Sequence, residues 1–111
     1  LTTRAVFFDL DGLLVNTEPL HVEAYHAVAD HLGISLDREY LHSLLGAPTR
    51  ENLRRIMDDN DVPPGRFDDL LNIRYDAYLD TIRETTLHLE AGALSCLTMC
   101  RERGYDTALV T

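Results

Sequence analysis

The chain begins with an unbroken apolar run, Ala5-Val6-Phe7-Phe8, that stops at Asp9. A strand covered on one face would alternate apolar and polar positions. The run therefore predicts a strand buried on both faces of a parallel sheet, with Asp9 at its carboxyl end. Beyond it the period becomes helical. Pro19 suits a first helical turn with Thr17 or Glu18 at the cap, and Leu20, Ala24, Ala27, Val28 and Leu32 follow before Gly33 ends the segment. A short second helix is expected from Arg38 to Leu45 behind Asp37, stopping at Gly46. Thr49 is expected to cap a third, with Leu53, Ile56 and Met57 on its inner face. Pro63-Pro64-Gly65 breaks the pattern, and a long fourth helix carries Phe67, Leu70, Leu71, Ile73, Tyr75, Tyr78, Leu79 and Ile82 to an end near Thr86. Gly92 to Arg103 reads as a further helix stopped by Gly104, and Thr107-Ala108-Leu109-Val110-Thr111 as a second buried strand.

Helix upon helix between two strands implies a small bundle inserted into an α/β domain. The boundaries are expected at 1–16 for the first strand and its turn, 17–88 for the helical insertion, and 89–111 for the return to the α/β part. A parallel pair joined by such a crossover should be right-handed.

Composition narrows the partners. The 111 residues are 45% hydrophobic and carry a formal charge of −9, from 19 acidic and 10 basic side chains with 5 histidines counted neutral. That balance disfavours nucleic acid and acidic membranes as partners. No apolar stretch approaches the roughly 20 residues of a membrane span, and no signal sequence opens the chain, so a cytoplasmic location is expected. Cys96 and Cys100, at i, i+4 with no neighbouring metal-site spacing, are expected as buried, reduced thiols.

The chemistry concentrates at Asp9 and Asp11. Two apart in extended backbone, their side chains can share a face, and Gly12 lets the chain turn away. The carboxyl end of a strand in an open α/β sheet is where ligands bind. Paired carboxylates in a partly dry site repel each other, which calls for a divalent cation or a shared proton. A D-x-D at a strand end also fits a glycosyltransferase metal site, or simple turn and capping residues.

Phe7-Phe8-Asp9-Leu10-Asp11-Gly12-Leu13-Leu14-Val15-Asn16-Thr17 resembles the first motif of the haloacid dehalogenase superfamily, D-x-D-G-[TVIL]-L-x-[DN]-[ST] after a strand. The continuation Thr17-Glu18-Pro19-Leu20-His21 is similar to the β-phosphoglucomutase-like branch of small phosphatases and mutases. The resemblance implies a Rossmann-like parallel-sheet core, present here in part, with an inserted α-helical cap. It implies a Mg²⁺-dependent phosphatase acting on small phosphorylated metabolites, sugar phosphates foremost, or alternatively a phosphomutase. Asp9 would be the nucleophile that becomes an aspartyl-phosphate and a Mg²⁺ ligand. Asp11 would be the general acid and base, and a metal ligand through its carbonyl. A departing halide needs no proton whereas an alkoxide does, so Asp11 favours phosphoryl transfer over dehalogenation. Thr111, ending an apolar strand, resembles the second motif, whose hydroxyl hydrogen-bonds a phosphoryl oxygen; without the first motif a structural threonine is the preferred reading.

In the insertion, His21 would stand near the active-site mouth and either hold the cap closed or contact substrate; a partly buried polar tip is the competing reading. Gly46-Ala47-Pro48-Thr49-Arg50-Glu51 resembles the substrate-specificity segment, and Arg50 would hold a distal phosphate. The mutases place that arginine one position earlier, where this chain has Thr49, and a solvated arginine in a first turn is the alternative. His26, His31, His42 and His88 receive no role, and Asp58, Asp59, Asn60 and Asp61 are expected as a solvated turn.

Relatives need a third-motif lysine and a fourth-motif acidic pair, which the chain does not contain. The chain opens on Leu1, and two strands alone would leave sheet edges exposed. The expectation is a fragment of a longer polypeptide, or a chain whose remaining core half comes from another chain. A non-catalytic fragment is the reading opposed to the enzyme.

Overall fold

The computed structural model describes residues 5–110. The elements run β1 (Ala5–Asp9), α1 (Glu18–Leu32), α2 (Arg38–Leu44), α3 (Thr49–Asp59), one 3-10 turn (Pro64–Arg66), α4 (Phe67–Glu84), α5 (Ala93–Glu102) and β2 (Asp106–Val110). The architecture is mixed α/β. The chain divides into two compact units, Leu1–Glu18 with Thr86–Thr111, and Pro19–Thr85. Among the described residues no helix is long and apolar enough to cross a membrane.

The first unit holds a parallel pair, β1 beside β2, in the register Ala5↔Asp106 to Asp9↔Val110. Alternation along β1 places Val6 and Phe8 toward α5, where Phe8, Leu14, Ala93 and Cys100 form a small buried cluster. The opposite face is open. Phe7 is 71% exposed, and every residue of β2 is exposed, Leu109 at 55%. The expectation of strands buried on both faces is thus corrected: among the described residues the one helix assigned to this unit apart from the first turn of α1 is α5, and one helix covers one face. Cys96 and Cys100 are free thiols, with Cys100 buried and Cys96 half-buried.

The second unit carries its own core. Leu44, Leu53, Ile56 and Leu70, from three helices, are fully buried against Tyr25 and Val28 of α1. Each such aliphatic side chain contributes roughly 1.5–3 kcal/mol by leaving water. Local signals set the helix ends. Asp37 caps α2, its Oδ1 accepting from the Tyr40 amide at 2.7 Å, and Gly33 takes φ +69 after α1, a left-handed value that suits glycine. At α3 the cap is Pro48, with Thr49 as the first helical residue and no side-chain capping bond. Pro48 has the extended backbone of a cap, and its carbonyl accepts from the Asn52 amide at 3.0 Å. Across the surface, the Tyr40 hydroxyl donates to Asp59 Oδ2 at 2.7 Å, and the Arg55 guanidinium lies 4.7 Å from the Tyr40 ring centroid. Burial, and next the bond to Asp59, push the Tyr40 phenol up to about 12.

Candidate functional site

Asp9 closes β1 opposite Val110, and the chain then turns tightly. The Leu10 amide extends the ladder to the Val110 carbonyl at 3.3 Å, while the Leu14 and Val15 amides both donate to the Leu10 carbonyl at 3.2 Å. Gly12 stands at φ +77 and donates its amide to the Val15 carbonyl at 2.9 Å. A side chain there would meet no steric obstacle but would strain the backbone. The Glu90 amide donates to the Leu14 carbonyl at 2.6 Å, and Val15 bridges Leu89, so the returning chain pins the far side of the turn.

This turn leaves Asp9 and Asp11 exposed at the carboxyl end of the strand, two residues apart and on either side of the half-buried Leu10. Asp11 is oriented. Its Oδ1 accepts from the Thr17 hydroxyl at 2.8 Å, and Thr17 itself is buried. The sequence reading made Thr17 a possible helix cap. Instead its hydroxyl reaches back to Asp11, and the Glu18 amide is taken by Asn16 Oδ1 at 3.2 Å. The only sequence signal for this was the [DN]-[ST] ending of the motif. Thr111 lies outside the described residues.

His21 and Arg50 belong to the helical unit. Half-buried on α1, His21 stacks on Tyr78 of α4 with ring centroids 5.0 Å apart, and its Nδ1 is 2.8 Å from Arg74 Nη2. Arginine has only donors, so Nδ1 accepts and the ring proton sits on Nε2. Arg74 was not singled out from the sequence. It is only 7% exposed, with its guanidinium 4.7 Å from the Tyr25 ring centroid and its buried Nε without a hydrogen-bond partner. Arg50 is exposed in the first turn of α3, with its guanidinium 5.8 Å from the Phe67 ring centroid, and Arg54 lies over the same ring at 4.9 Å.

A strand ending in an exposed carboxylate, a glycine turn, a second carboxylate held by a threonine and an inserted helical unit together match a known pattern. The family model described as haloacid dehalogenase-like hydrolase matches residues 6–111. The chain belongs to the haloacid dehalogenase-like hydrolase family. Among its relatives, a phosphorylated carbohydrates phosphatase of Thermotoga maritima is 43% identical over 55 residues, 50% of this chain and 26% of that protein. The β-phosphoglucomutase of Bacillus subtilis is 35% identical over 54 residues, 49% of this chain and 24% of that protein. The crystal structure of CbbY from Rhodobacter sphaeroides in complex with phosphate superimposes with a TM-score of 0.76 at 25% identity, over 97% of this chain and 50% of that one. The chain thus spans half or less of the length of these three relatives.

For a family member, the donor set at the strand end is suited to a hard cation. Asp9 offers a carboxylate oxygen and Asp11 its backbone carbonyl, and Mg²⁺ is typically held by one or two carboxylates with water and substrate phosphate completing its octahedron. Among the described residues no group of three or more His, Cys, Asp or Glu side chains gathers that could hold a metal, so Asp58, Asp59 and Asp61 make no such cluster.

Proposed function

We propose that the complete polypeptide containing this chain is a Mg²⁺-dependent phosphatase of small phosphorylated metabolites, sugar phosphates foremost, acting through an aspartyl-phosphate on Asp9. The observation that carries this reading is the pairing of an exposed Asp9 at the end of β1 with an Asp11 anchored by Thr17. An Asp9 carboxylate oxygen attacks phosphorus and the bond from phosphorus to the ester oxygen breaks. The leaving oxygen takes its proton from Asp11. Water then loses a proton to Asp11 and attacks the same phosphorus, releasing phosphate and restoring Asp9. Splitting one hard displacement into two lowers each barrier, and a positioned acid contributes on the order of 10²–10⁴ in rate. Asp9 and Asp11 would hold Mg²⁺, which supplies the positive charge that lets one anion approach another.

Thr17 keeps Asp11 in place as its proton comes and goes, since a hydroxyl bonds to either form of the carboxyl group. Gly12 brings the backbone close to the phosphoryl group, and the Thr111 hydroxyl donates to a phosphoryl oxygen. His21 and Arg50 contact the rest of the substrate. The remaining core half covers the open face around Phe7, Leu109 and Val110, whether it follows in the same polypeptide or comes from another chain. Free thiols at Cys96 and Cys100 are in keeping with a reducing, cytoplasmic setting.

A phosphomutase is the second reading, supported by the likeness to the Bacillus subtilis β-phosphoglucomutase. The two differ in whether water or a sugar hydroxyl takes the phosphoryl group from Asp9. Incubating the complete protein with Mg²⁺ and a panel of sugar phosphates separates them. The phosphatase reading expects inorganic phosphate in step with substrate loss, and an isomeric sugar phosphate without phosphate release would replace it with the mutase.

A further inference from the structure

Asn52 is a polar side chain in the middle of an apolar core, only 3% exposed among Leu53, Ile56 and Leu44. Its Nδ2 has three acceptors: the Leu44 carbonyl at 2.7 Å, the Tyr25 hydroxyl at 2.9 Å and the Ala47 carbonyl at 3.3 Å. Two of these are backbone carbonyls, which only accept, so the amide nitrogen must face them and the orientation of the side chain is determined. Leu44 ends α2 and Ala47 lies in the turn before α3. Gly46, between them, takes φ +86. One buried amide therefore grips both sides of a left-handed glycine turn from within, and the outer surface of that turn, Gly46 to Pro48, faces solvent.

Satisfying the last carbonyls of α2 would need only a bond to Leu44. The Asn52 amide also reaches Ala47, beyond the helix, and Tyr25 on α1. Tyr25 in turn lies under the Arg74 guanidinium that bonds to His21. The turn that leads into Arg50 and the neighbourhood of His21 thus share one largely buried polar path, whose links measure 2.7–4.7 Å. A short exposed turn with a glycine in it would otherwise sample several shapes, and recognition is tightest when the binding shape exists beforehand.

We propose that Asn52 is a positioning residue for substrate recognition: by clamping the Leu44–Pro48 turn it holds Arg50 ready for the anionic or hydroxylated part of the substrate distal to the transferred phosphoryl group. This rests on the phosphatase reading given above. Asn52 touches no substrate and acts through the turn. Hexose phosphates, with several distal hydroxyls, depend on it, whereas p-nitrophenyl phosphate, with one weakly accepting nitro group at its far end, depends on it far less.

The test is steady-state kinetics of the complete protein with Mg²⁺, on a hexose phosphate and on p-nitrophenyl phosphate. Asn52→Leu keeps the side-chain size, and Tyr25→Phe keeps the ring while removing one acceptor. Asn52→Leu should raise KM for the hexose phosphate about tenfold more than for p-nitrophenyl phosphate, and Tyr25→Phe about threefold more, an outcome of lost uniform binding. In an Arg50→Ala background, Asn52→Leu should raise the hexose phosphate KM by less than about twofold further. Equal changes for the two substrates in both variants, or full additivity with Arg50→Ala, would reduce Asn52 to a packing role and overturn the proposal. A wild-type protein that turns over neither substrate overturns the phosphatase reading and this inference with it, whereas wild-type turnover of both with no KM split overturns this inference alone.

Discussion

The two units of the chain solve the same problem differently. The helical unit closes on itself: four helices put Leu44, Leu53, Ile56 and Leu70 beyond reach of water, and the Asn52 amide and Arg74 Nη2 find partners within the unit, with only Arg74 Nε left unpaired among the described buried side-chain atoms. The sheet unit gathers three buried residues, Leu14, Ala93 and Cys100, around Phe8 and leaves Phe7, Leu94, Leu109 and Val110 in solvent. Yet the sheet unit carries Asp9 and Asp11, the proposed nucleophile and acid. In the proposed reading the specificity groups sit on the self-contained helical unit, and the chemistry sits on the unit whose apolar face around Phe7 and Leu109 is exposed.

The largest expected break in that comparison is at Asp11. Asp11→Ala in the complete protein should slow esters with poor leaving groups by about 10²–10⁴ and aryl phosphates with good ones far less, read from kcat/KM across a leaving-group series. An equal loss across the series would remove the acid role. Packing substitutions sharpen the contrast further. Leu53→Ala should destabilise the helical unit by about 2–5 kcal/mol in denaturant melts of either the 111-residue chain or the complete protein. Phe7→Ala should cost within about 0.5 kcal/mol in the 111-residue chain and about 3–5 kcal/mol in the complete protein. A Phe7→Ala cost that is the same in both would mean that nothing covers that face.

Smaller effects follow. Thr17→Val keeps the shape and removes the bond to Asp11, so kcat should fall about tenfold, near 1.4 kcal/mol, with KM little changed. The Tyr40 phenol, raised to about 12 by burial and by Asp59, stays protonated in the folded state where the unfolded chain has already lost its proton. Its contribution is complete below the ordinary tyrosine value near 10 and is lost as pH climbs toward 12. Stability measured across that window should fall less steeply in Tyr40→Phe than in the parent, and parallel slopes would show that neither burial nor the Asp59 contact raises this phenol.

Periodic features were legible in the sequence. The apolar run into Asp9, the Asp37 cap and the helical spacing of Leu53, Ile56 and Met57 all appear where the pattern put them, because each depends on neighbours within a turn or two. The exposure of β2 was not legible, since an apolar run reports what a strand is suited to bury against and not whether that surface is present. The same limit hid the contacts that orient the site. Thr17 reaches Asp11 across six positions of a non-helical turn, Arg74 meets His21 across 53, and Asn52 meets Tyr25 across 27. A buried arginine and a buried asparagine read along the chain as ordinary polar positions on helices, because only tertiary packing decides which polar residues are enclosed. Pro48 displaced Thr49 as the α3 cap for a local reason, its extended backbone and a carbonyl that accepts the first helical bond from Asn52, that residue preference alone ranks lower.

The central claim is that Asp9 takes the phosphoryl group. Rapid quenching of the complete protein in turnover, followed by intact-mass and peptide mapping, tests it most directly. The account predicts an acid-stable, base-labile adduct of one phosphoryl group on the peptide containing Asp9, absent in Asp9→Asn along with turnover. A phosphoryl group on any other residue, or steady turnover by Asp9→Asn, would contradict it.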